Sequence, residues 1–137
     1  AASDVYKRQV LGKHNGLFNY TIGQRKGLGI AYKHPLYVIG FNGERNEVIV
    51  GPNDRLFTNR MICKFYNFLD DTIHKELKAE GKIRYAANPS PCTARILDDD
   101  TMEVIFEEPQ RAITPGQSVA FYNGTQLLGG AVIDRVC

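Results

Sequence analysis

The amino-acid sequence predicts a mainly β protein, in which a β-hairpin near residue 45 is followed by short strands that close into a small barrel. Short apolar runs recur at regular spacing, and they end at Gly, Pro, Asn or Asp residues, as strands and turns do. Within the runs, apolar and polar residues alternate with period two, and helical periodicity is almost absent. The chain has 137 residues, 43% of them hydrophobic, so it can form one modest core or two small ones.

The start of the chain is expected to contribute nothing to the fold. Its first nine residues, AASDVYKRQ, contain no initiator Met and show no periodic pattern. We therefore interpret residues 1–11 as a non-native or disordered start, and we place a boundary between two lobes near Asn59.

A glycine-rich segment with basic side chains follows, between Gly12 and Ile30. It contains five glycines, a density that disfavours a regular helix and predicts a shaped loop. Backbone N–H groups of such a loop can approach phosphates closely, which makes it a candidate anion site. A solvated basic loop that only supports a neighbouring domain is the alternative. The polar side chains concerned are Lys13, His14, Gln24, Arg25 and Lys26.

Two apolar segments on either side of an Asn-Gly pair predict the hairpin. The segments are LYVIG, residues 36–40, and EVIVG, residues 47–51. Phe41-Asn42-Gly43-Glu44 between them carries a strong hairpin-turn signal. The Gly-Pro-Asn-Asp sequence at residues 51–54 then ends the pattern.

Six further segments predict the strands of the barrel. Residues 76–85 are rich in Glu, Lys, Ala and Leu, as a helix would be, yet their apolar and polar residues alternate strictly. Closure into a barrel removes the exposed strand edges. The predicted strands span residues 60–66, 76–85, 92–97, 102–107, 118–122 and 127–134.

Composition and charge exclude several kinds of site. The formal net charge of +2 gives no argument for a nucleic-acid partner, which calls for a strongly basic face. Cys63 and Cys92 are in phase with apolar neighbours and are predicted to pack in the core. Asp98 to Asp100 are predicted to form a hydrated turn rather than a metal site. No apolar run approaches the ~20 residues that span a bilayer, so we expect a cytoplasmic protein with no membrane partner.

One long motif is recognisable. The run HNGLFNYTIGQRKGLGI, from His14 to Ile30, resembles the signature that opens the central domain of bacterial tRNA-specific 2-thiouridylases. The resemblance continues in the family's order through PLYVIG, NEVIVG, GKIRY, ITPGQSVAFYNG and LLGGAVID. It implies a small central, tRNA-binding domain over residues 12–59, followed by a six-stranded β-barrel domain over residues 60–137.

The resemblance also implies an activity that this chain does not perform alone. Members of the family adenylate the wobble uridine of certain tRNAs with ATP and Mg, and then replace one oxygen with a persulfide sulfur. Both steps use an N-terminal catalytic domain whose glycine-serine phosphate loop this sequence lacks, so we expect no catalytic residue, cofactor or metal here. The expected partners are tRNA, the missing catalytic domain and, through the complete enzyme, a sulfur-carrier protein or cysteine desulfurase.

The resemblance places tRNA contacts at Arg84, Tyr85 and Gln117. Arg offers a planar fork for phosphate, Tyr a stacking face for a base, and Gln an amide that can read a base edge or a ribose hydroxyl. Strict alternation puts Tyr85 on the apolar face, so a tyrosine packed inside the barrel is the alternative. The loop side chains of Lys13, His14, Gln24, Arg25 and Lys26 are candidate tRNA or interdomain contacts.

A second hypothesis is a protein-interaction module. In it, a β-barrel like those of translation factors uses its loops and strand edges to dock a neighbouring domain or a sulfur-carrier protein. The near-neutral total charge favours this hypothesis, whereas one continuous basic stripe would favour RNA.

Overall fold

The computed structural model describes residues 2–4, 9–14, 16–28, 32, 34–70, 75–83 and 88–137. These residues form ten β-strands and two short 3₁₀ helices, with no α-helix among them. The chain divides into two compact units, Ala1–Phe57 and Thr58–Cys137. The mainly β fold that the sequence predicts is confirmed. Among the described residues, no helix is long and apolar enough to cross a membrane.

The first unit contains a four-stranded sheet with the strand order β2-β1-β4-β3. Strands β1 and β4 are parallel, and the other two pairs are antiparallel. The two 3₁₀ helices, Leu17–Asn19 and Asn53–Leu56, flank the hairpin in sequence. The strands are β1 Ala2–Asp4, β2 Gln9–Gly12, β3 Tyr37–Asn42 and β4 Glu47–Gly51.

The structure differs from the sequence-based expectation at the start of the chain. Residues 1–11, to which we assign no place in the fold, supply all of β1 and most of β2. The physical reason is that β1 pairs with β4, a strand distant in sequence, with Ser3 opposite Ile49. A three-residue strand is too short to show a period of its own, so local patterning cannot reveal it.

The predicted hairpin is confirmed, with its turn displaced toward the second strand. Strand β3 continues through Phe41 and Asn42, and the turn consists of residues 43–46. The Asn42 side chain accepts a hydrogen bond from the Arg45 N–H (3.2 Å), and Asn46 adopts a left-handed φ of 53°. Asn is one of the residues that tolerate this conformation, which explains its place at the end of the turn.

The hairpin buries one face, and the glycine-rich loop packs on it. Leu36, Val38, Val48 and Val50 are buried and form the centre of this core. Apolar residues of the loop and its neighbourhood cover the core from the outside, so burial of apolar surface holds the loop against the sheet. These covering residues are Leu11, Leu17, Tyr20, Leu28 and Tyr32.

The second unit is a closed barrel with the strand order β10-β5-β8-β7-β6-β9. All six predicted strands are present, and closure leaves no free sheet edge in this unit. Several strands extend beyond their predicted limits, because cross-strand pairing continues past the apolar residues that reveal a strand. The bounds are β5 Phe57–Phe68, β6 Glu76–Lys82, β7 Ser90–Ile96, β8 Thr101–Arg111, β9 Ser118–Asn123 and β10 Gln126–Val136.

Alternate residues of these strands fill the barrel. A Cβ built at Gly81 would lie 3.0 Å from a ring carbon of Phe106 and 3.1 Å from the Cys92 sulfur. At this glycine, β6 approaches the core too closely to leave space for a side chain. The buried residues of this core are Met61, Cys63, Ile83, Cys92, Ala94, Met102, Val104, Phe106, Ile113, Val119, Phe121, Ala131 and Ile133.

Candidate functional site

The glycine-rich loop is held to the hairpin by backbone hydrogen bonds. Gly23 N–H donates to the Val38 carbonyl (2.7 Å), and Val38 N–H donates to the Gln24 carbonyl (2.9 Å). Gly23 and Gly27 have φ values of 91° and 76°, which non-glycine residues rarely adopt. Residues 16–28, the main described part of the loop, therefore have a defined backbone conformation.

The side chain of Gln24 stabilises this loop from within. Its amide oxygen accepts a hydrogen bond from Thr21 N–H (3.0 Å), and its amide nitrogen donates to the Lys26 carbonyl (2.8 Å). Both ends of the amide are thus occupied by loop backbone. Arg25 and Lys26 beside it have exposed side chains. Of the loop residues considered as RNA contacts, these two and the exposed Lys13 can direct charge toward a partner.

The side chain of His14 also stabilises the loop through hydrogen bonds. Gly16 N–H donates to its Nδ1 (3.0 Å), which leaves the proton on Nε2, and Nε2 donates to the Asn46 carbonyl (2.7 Å). The ring meets Tyr20 edge-on, with the ring centroids 5.9 Å apart. His14 therefore connects the glycine-rich loop to the hairpin turn, and both of its ring nitrogens are occupied.

Gln117 lies at the end of a backbone-anchored turn in front of β9. Gly116 N–H donates to the Ile133 carbonyl (2.7 Å), and Ile133 N–H donates to the Gln117 carbonyl (2.8 Å). A further bond from Gln117 N–H to the Thr114 carbonyl (3.2 Å) closes the turn. The Gln117 side chain is exposed. An amide presented to solvent on a fixed backbone is suited to reading an RNA group.

The other two residues for which the resemblance implies tRNA contacts, Arg84 and Tyr85, lie outside the described residues. Their neighbour Ile83 is buried in the barrel core. The roles of Arg84 and Tyr85 therefore stay predictions, including the alternative of a buried tyrosine.

Comparison with known proteins agrees with the motif. A family model described as a tRNA methyl transferase PRC-barrel domain matches residues 3–52, and one described as an aminomethyltransferase β-barrel domain matches residues 58–133. The tRNA-specific 2-thiouridylase MnmA of Clostridioides difficile is 46% identical over 130 residues, which cover 94% of this chain and 36% of the relative. The chain belongs to the tRNA-specific 2-thiouridylase family.

Two further family members give the same result. The tRNA-specific 2-thiouridylases MnmA of Geobacter metallireducens and Geotalea uraniireducens are each 46% identical, over 91% and 94% of this chain. In both cases the match covers 34% of the relative. The chain thus spans about a third of the length of the curated 2-thiouridylases that it matches.

The three thiols of the chain differ in their environment. Cys63 and Cys92 are buried, as predicted, whereas Cys137 is exposed. Burial raises the pKa of both Cys63 and Cys92 to about 12. Since the thiolate is the nucleophile, the two core cysteines are suited to packing and unsuited to accepting sulfur.

The turn at Asp98 is likewise held by hydrogen bonds within the chain. Its carboxylate accepts hydrogen bonds from the N–H groups of Asp100 (2.9 Å) and Thr101 (2.8 Å), and these bonds lower the pKa of Asp98. This is the turn that the sequence predicts between β7 and β8. Among the described residues, no group of His, Cys, Asp and Glu side chains is arranged to hold a metal ion.

Sequence reasoning missed one charged cluster on the outside of the barrel. Glu103, whose side chain is only 10% exposed, accepts a hydrogen bond from Arg60 Nε (2.7 Å) and lies 3.5 Å from Arg95 Nη2. The three residues come from β5, β7 and β8. An alternating pattern shows that Glu103 points outward, but only the pairing of these strands brings two arginines over it.

Proposed function

We propose that this chain is the tRNA-holding part of a tRNA 2-thiouridine synthase and that it catalyses nothing alone. In this proposal, Arg84, Tyr85 and Gln117 contact tRNA, and the exposed Lys13, Arg25 and Lys26 add phosphate or interdomain contacts. The observation that carries the proposal is the exposed Gln117 side chain on a backbone-anchored turn, in a chain of the 2-thiouridylase family. His14 and Gln24 act indirectly, by shaping the loop that presents the three cations.

The complete enzyme would supply the chemistry. We assign ATP and Mg to a catalytic domain, where the wobble uridine is adenylated and an oxygen is replaced by sulfur from a persulfide. A sulfur-carrier protein or cysteine desulfurase would deliver that sulfur to the catalytic domain. The raised pKa values of Cys63 and Cys92 support this division of labour, because neither thiol is a good nucleophile near neutral pH.

A binding titration tests the proposal. Unmodified tRNA transcript should shift in electrophoresis with this chain at low salt, and the affinity should fall as salt rises, because bound phosphates release counterions. A DNA duplex of similar length is the control for charge alone. If tRNA does not bind even at low salt, the proposed function is wrong.

The second candidate, a protein-interaction module, is favoured by two observations. The net charge is only +2, and Phe65 and Leu69 expose 67% and 71% of their surface. Exposed apolar residues in proximity are typical of protein interfaces. This candidate expects binding to a partner protein that high salt leaves intact, whereas tRNA binding should weaken under the same conditions.

A further inference from the structure

The outer surface of the barrel carries an uncharged groove of about 470 Å³. It runs across β5, β10 and β9, and its volume falls within the range of small-molecule sites. Large apolar side chains stand at its ends, and small residues form its floor. The lining residues are Phe65, Asn67, Leu69, Ser118, Val119, Ala120, Leu127, Gly129, Gly130, Ala131 and Val132.

Phe65 is directed outward by a β-bulge. Lys64 pairs with Val132 and Asn67 with Gly130, so two residues of β5 stand opposite one residue of β10. Within the bulge Phe65 has a φ of 53°, a conformation that is rare for a bulky residue. A hydrogen bond from Phe65 N–H to the Asp100 carbonyl (3.1 Å) holds it there. The barrel thus maintains an unfavourable backbone conformation that presents a phenyl ring, 67% exposed, to solvent.

Small residues form the floor of the groove. Ala120 pairs with Gly130 across β9 and β10. A Cβ at the adjacent Gly129 would overlap the Asn67 carbonyl oxygen and the Phe68 ring. At the far end, Leu69 and Leu127 are 71% and 47% exposed. Gly129 thus allows β10 to approach β5 closely, and the small side chains of the floor leave space above it for a planar group.

The polar groups around Phe65 suit a nucleobase. None of the lining residues is charged, so the groove is unsuited to phosphate, whereas a base is uncharged, flat and polar at its edge. Asn67 supplies an amide and Ser118 a hydroxyl, which are groups that read base edges. Lys64, the residue before Phe65 on β5, forms a salt bridge with Asp134 (3.3 Å). Ser118 directly follows Gln117, so the groove continues from a proposed tRNA contact.

We propose that this groove binds an unstacked base of a single-stranded RNA segment, with the base stacked on Phe65. The inference rests on the proposed function and adds the class of RNA element that the barrel recognises. Stacking on an exposed aromatic ring is how many proteins hold unpaired bases, and it tolerates any base. An apolar peptide segment is the competing occupant, and the test separates the two.

A fluorescence titration reports on the groove directly. The chain contains no Trp, so Phe65→Trp introduces a single reporter. Single-stranded oligouridylate and unmodified tRNA transcript should quench its emission, because a stacked base contacts the indole. Leu97→Trp is the matched control, since Leu97 is 47% exposed in the same barrel but outside the groove. Equal responses of both variants, or no quenching at position 65, would overturn the inference.

Two further substitutions separate an aromatic site from an apolar one. Phe65→Ala should weaken oligouridylate binding roughly 5- to 150-fold, the range found for loss of one stacked base. Phe65→Leu should weaken it similarly, because leucine keeps apolar bulk but offers no ring face. Full retention of RNA binding in Phe65→Leu would contradict stacking on the ring, and binding of an apolar peptide in place of oligouridylate would favour the competing occupant. Thermal unfolding of each variant checks that the barrel is intact.

The two proposals fail in different ways. If tRNA binds and depends on Gln117 but not on Phe65, this inference is wrong and the proposed function stands. If oligouridylate quenches the Phe65→Trp variant while intact tRNA does not bind, the groove proposal stands and the proposed function is wrong.

Discussion

A backbone hydrogen bond joins Gln117 to Ile133 and helps to fix the turn before β9. Ile133 N–H donates to the Gln117 carbonyl (2.8 Å), and the preceding Gly116 N–H donates to the Ile133 carbonyl (2.7 Å). Because these bonds use only the main chain, the Gln117 side chain can be changed without loosening the turn. Its contribution to binding can thus be measured apart from the fold.

Gln117→Ala should weaken tRNA binding by about 2- to 10-fold, as expected for the loss of one neutral hydrogen bond. The melting temperature should stay unchanged, because the turn keeps its backbone bonds. Gln126→Ala is the matched control, since Gln126 is an exposed glutamine on the same barrel. Fluorescence anisotropy of labelled tRNA gives the two dissociation constants. If both variants lose the same amount of tRNA affinity, Gln117 does not make the proposed contact.

Glu103→Gln should lower the free energy of unfolding by about 1–3 kcal/mol. The substitution removes the charge that two arginines share, while keeping the shape of the side chain. Glu107→Gln on the same strand is the control, because Glu107 is exposed and a surface change of this kind costs less than about 0.5 kcal/mol. Denaturant unfolding measures both. Equal stabilities of the two variants would mean that the cluster around Glu103 contributes nothing.

The three thiols should react at very different rates in the folded protein. At pH 8 a disulfide reagent should modify Cys137 rapidly, and Cys63 and Cys92 only after unfolding. The reason is that both core thiols are buried and have a pKa of about 12. The Cys137→Ser variant should show almost no fast reaction. Rapid modification of two or three thiols in the native wild-type chain would contradict the buried assignment.

The same thiols should make the protein less stable in alkali. The folded-state pKa of about 12 lies above the ordinary value of 9.0, so the folded state holds these protons more tightly. Raising the pH above 9 therefore favours the unfolded state, whose thiols lose their protons first. The free energy of unfolding that depends on these two protons is fully present below pH 9 and is lost as the pH rises toward 12. The double variant Cys63→Ala, Cys92→Ala should be less stable throughout, but its stability should fall less steeply between pH 9 and 11. If the free energies of unfolding of the wild-type chain and the double variant fall equally steeply with pH, the two thiols do not cause the loss of stability.

The barrel could be predicted because its strands reveal themselves locally. Alternation over residues 76–85 identifies a strand within a composition typical of helices, and the structure confirms it as β6. The pairing of β1 with β4 could not be predicted, because it joins segments distant in sequence and involves only three residues. Local patterning specifies which face of a strand is buried, and it contains no information about a strand's partner.

The sequence predicts which types of side chain the candidate site contains, but it does not predict the contacts that they make. The sequence identifies His14 as one of several polar loop residues, but its bond to the Asn46 carbonyl depends on how the loop folds over the hairpin turn. The outward position of Phe65 depends on a bulge that shifts the phase of β5 by one residue. An uninterrupted alternation would place Phe65 on the same face as Met61 and Cys63.

The most direct test of the central claim compares two arginines in tRNA binding. Arg84→Ala should raise the dissociation constant for unmodified tRNA about tenfold or more at low salt, because a charge-assisted contact to phosphate is lost. Arg135→Ala removes the same charge from an exposed position of the same barrel and should change the constant by less than about twofold. A large, selective effect of Arg84→Ala is the predicted result. Equal effects of the two substitutions would reduce the interaction to non-specific charge and contradict the claim that this chain holds tRNA through specific contacts.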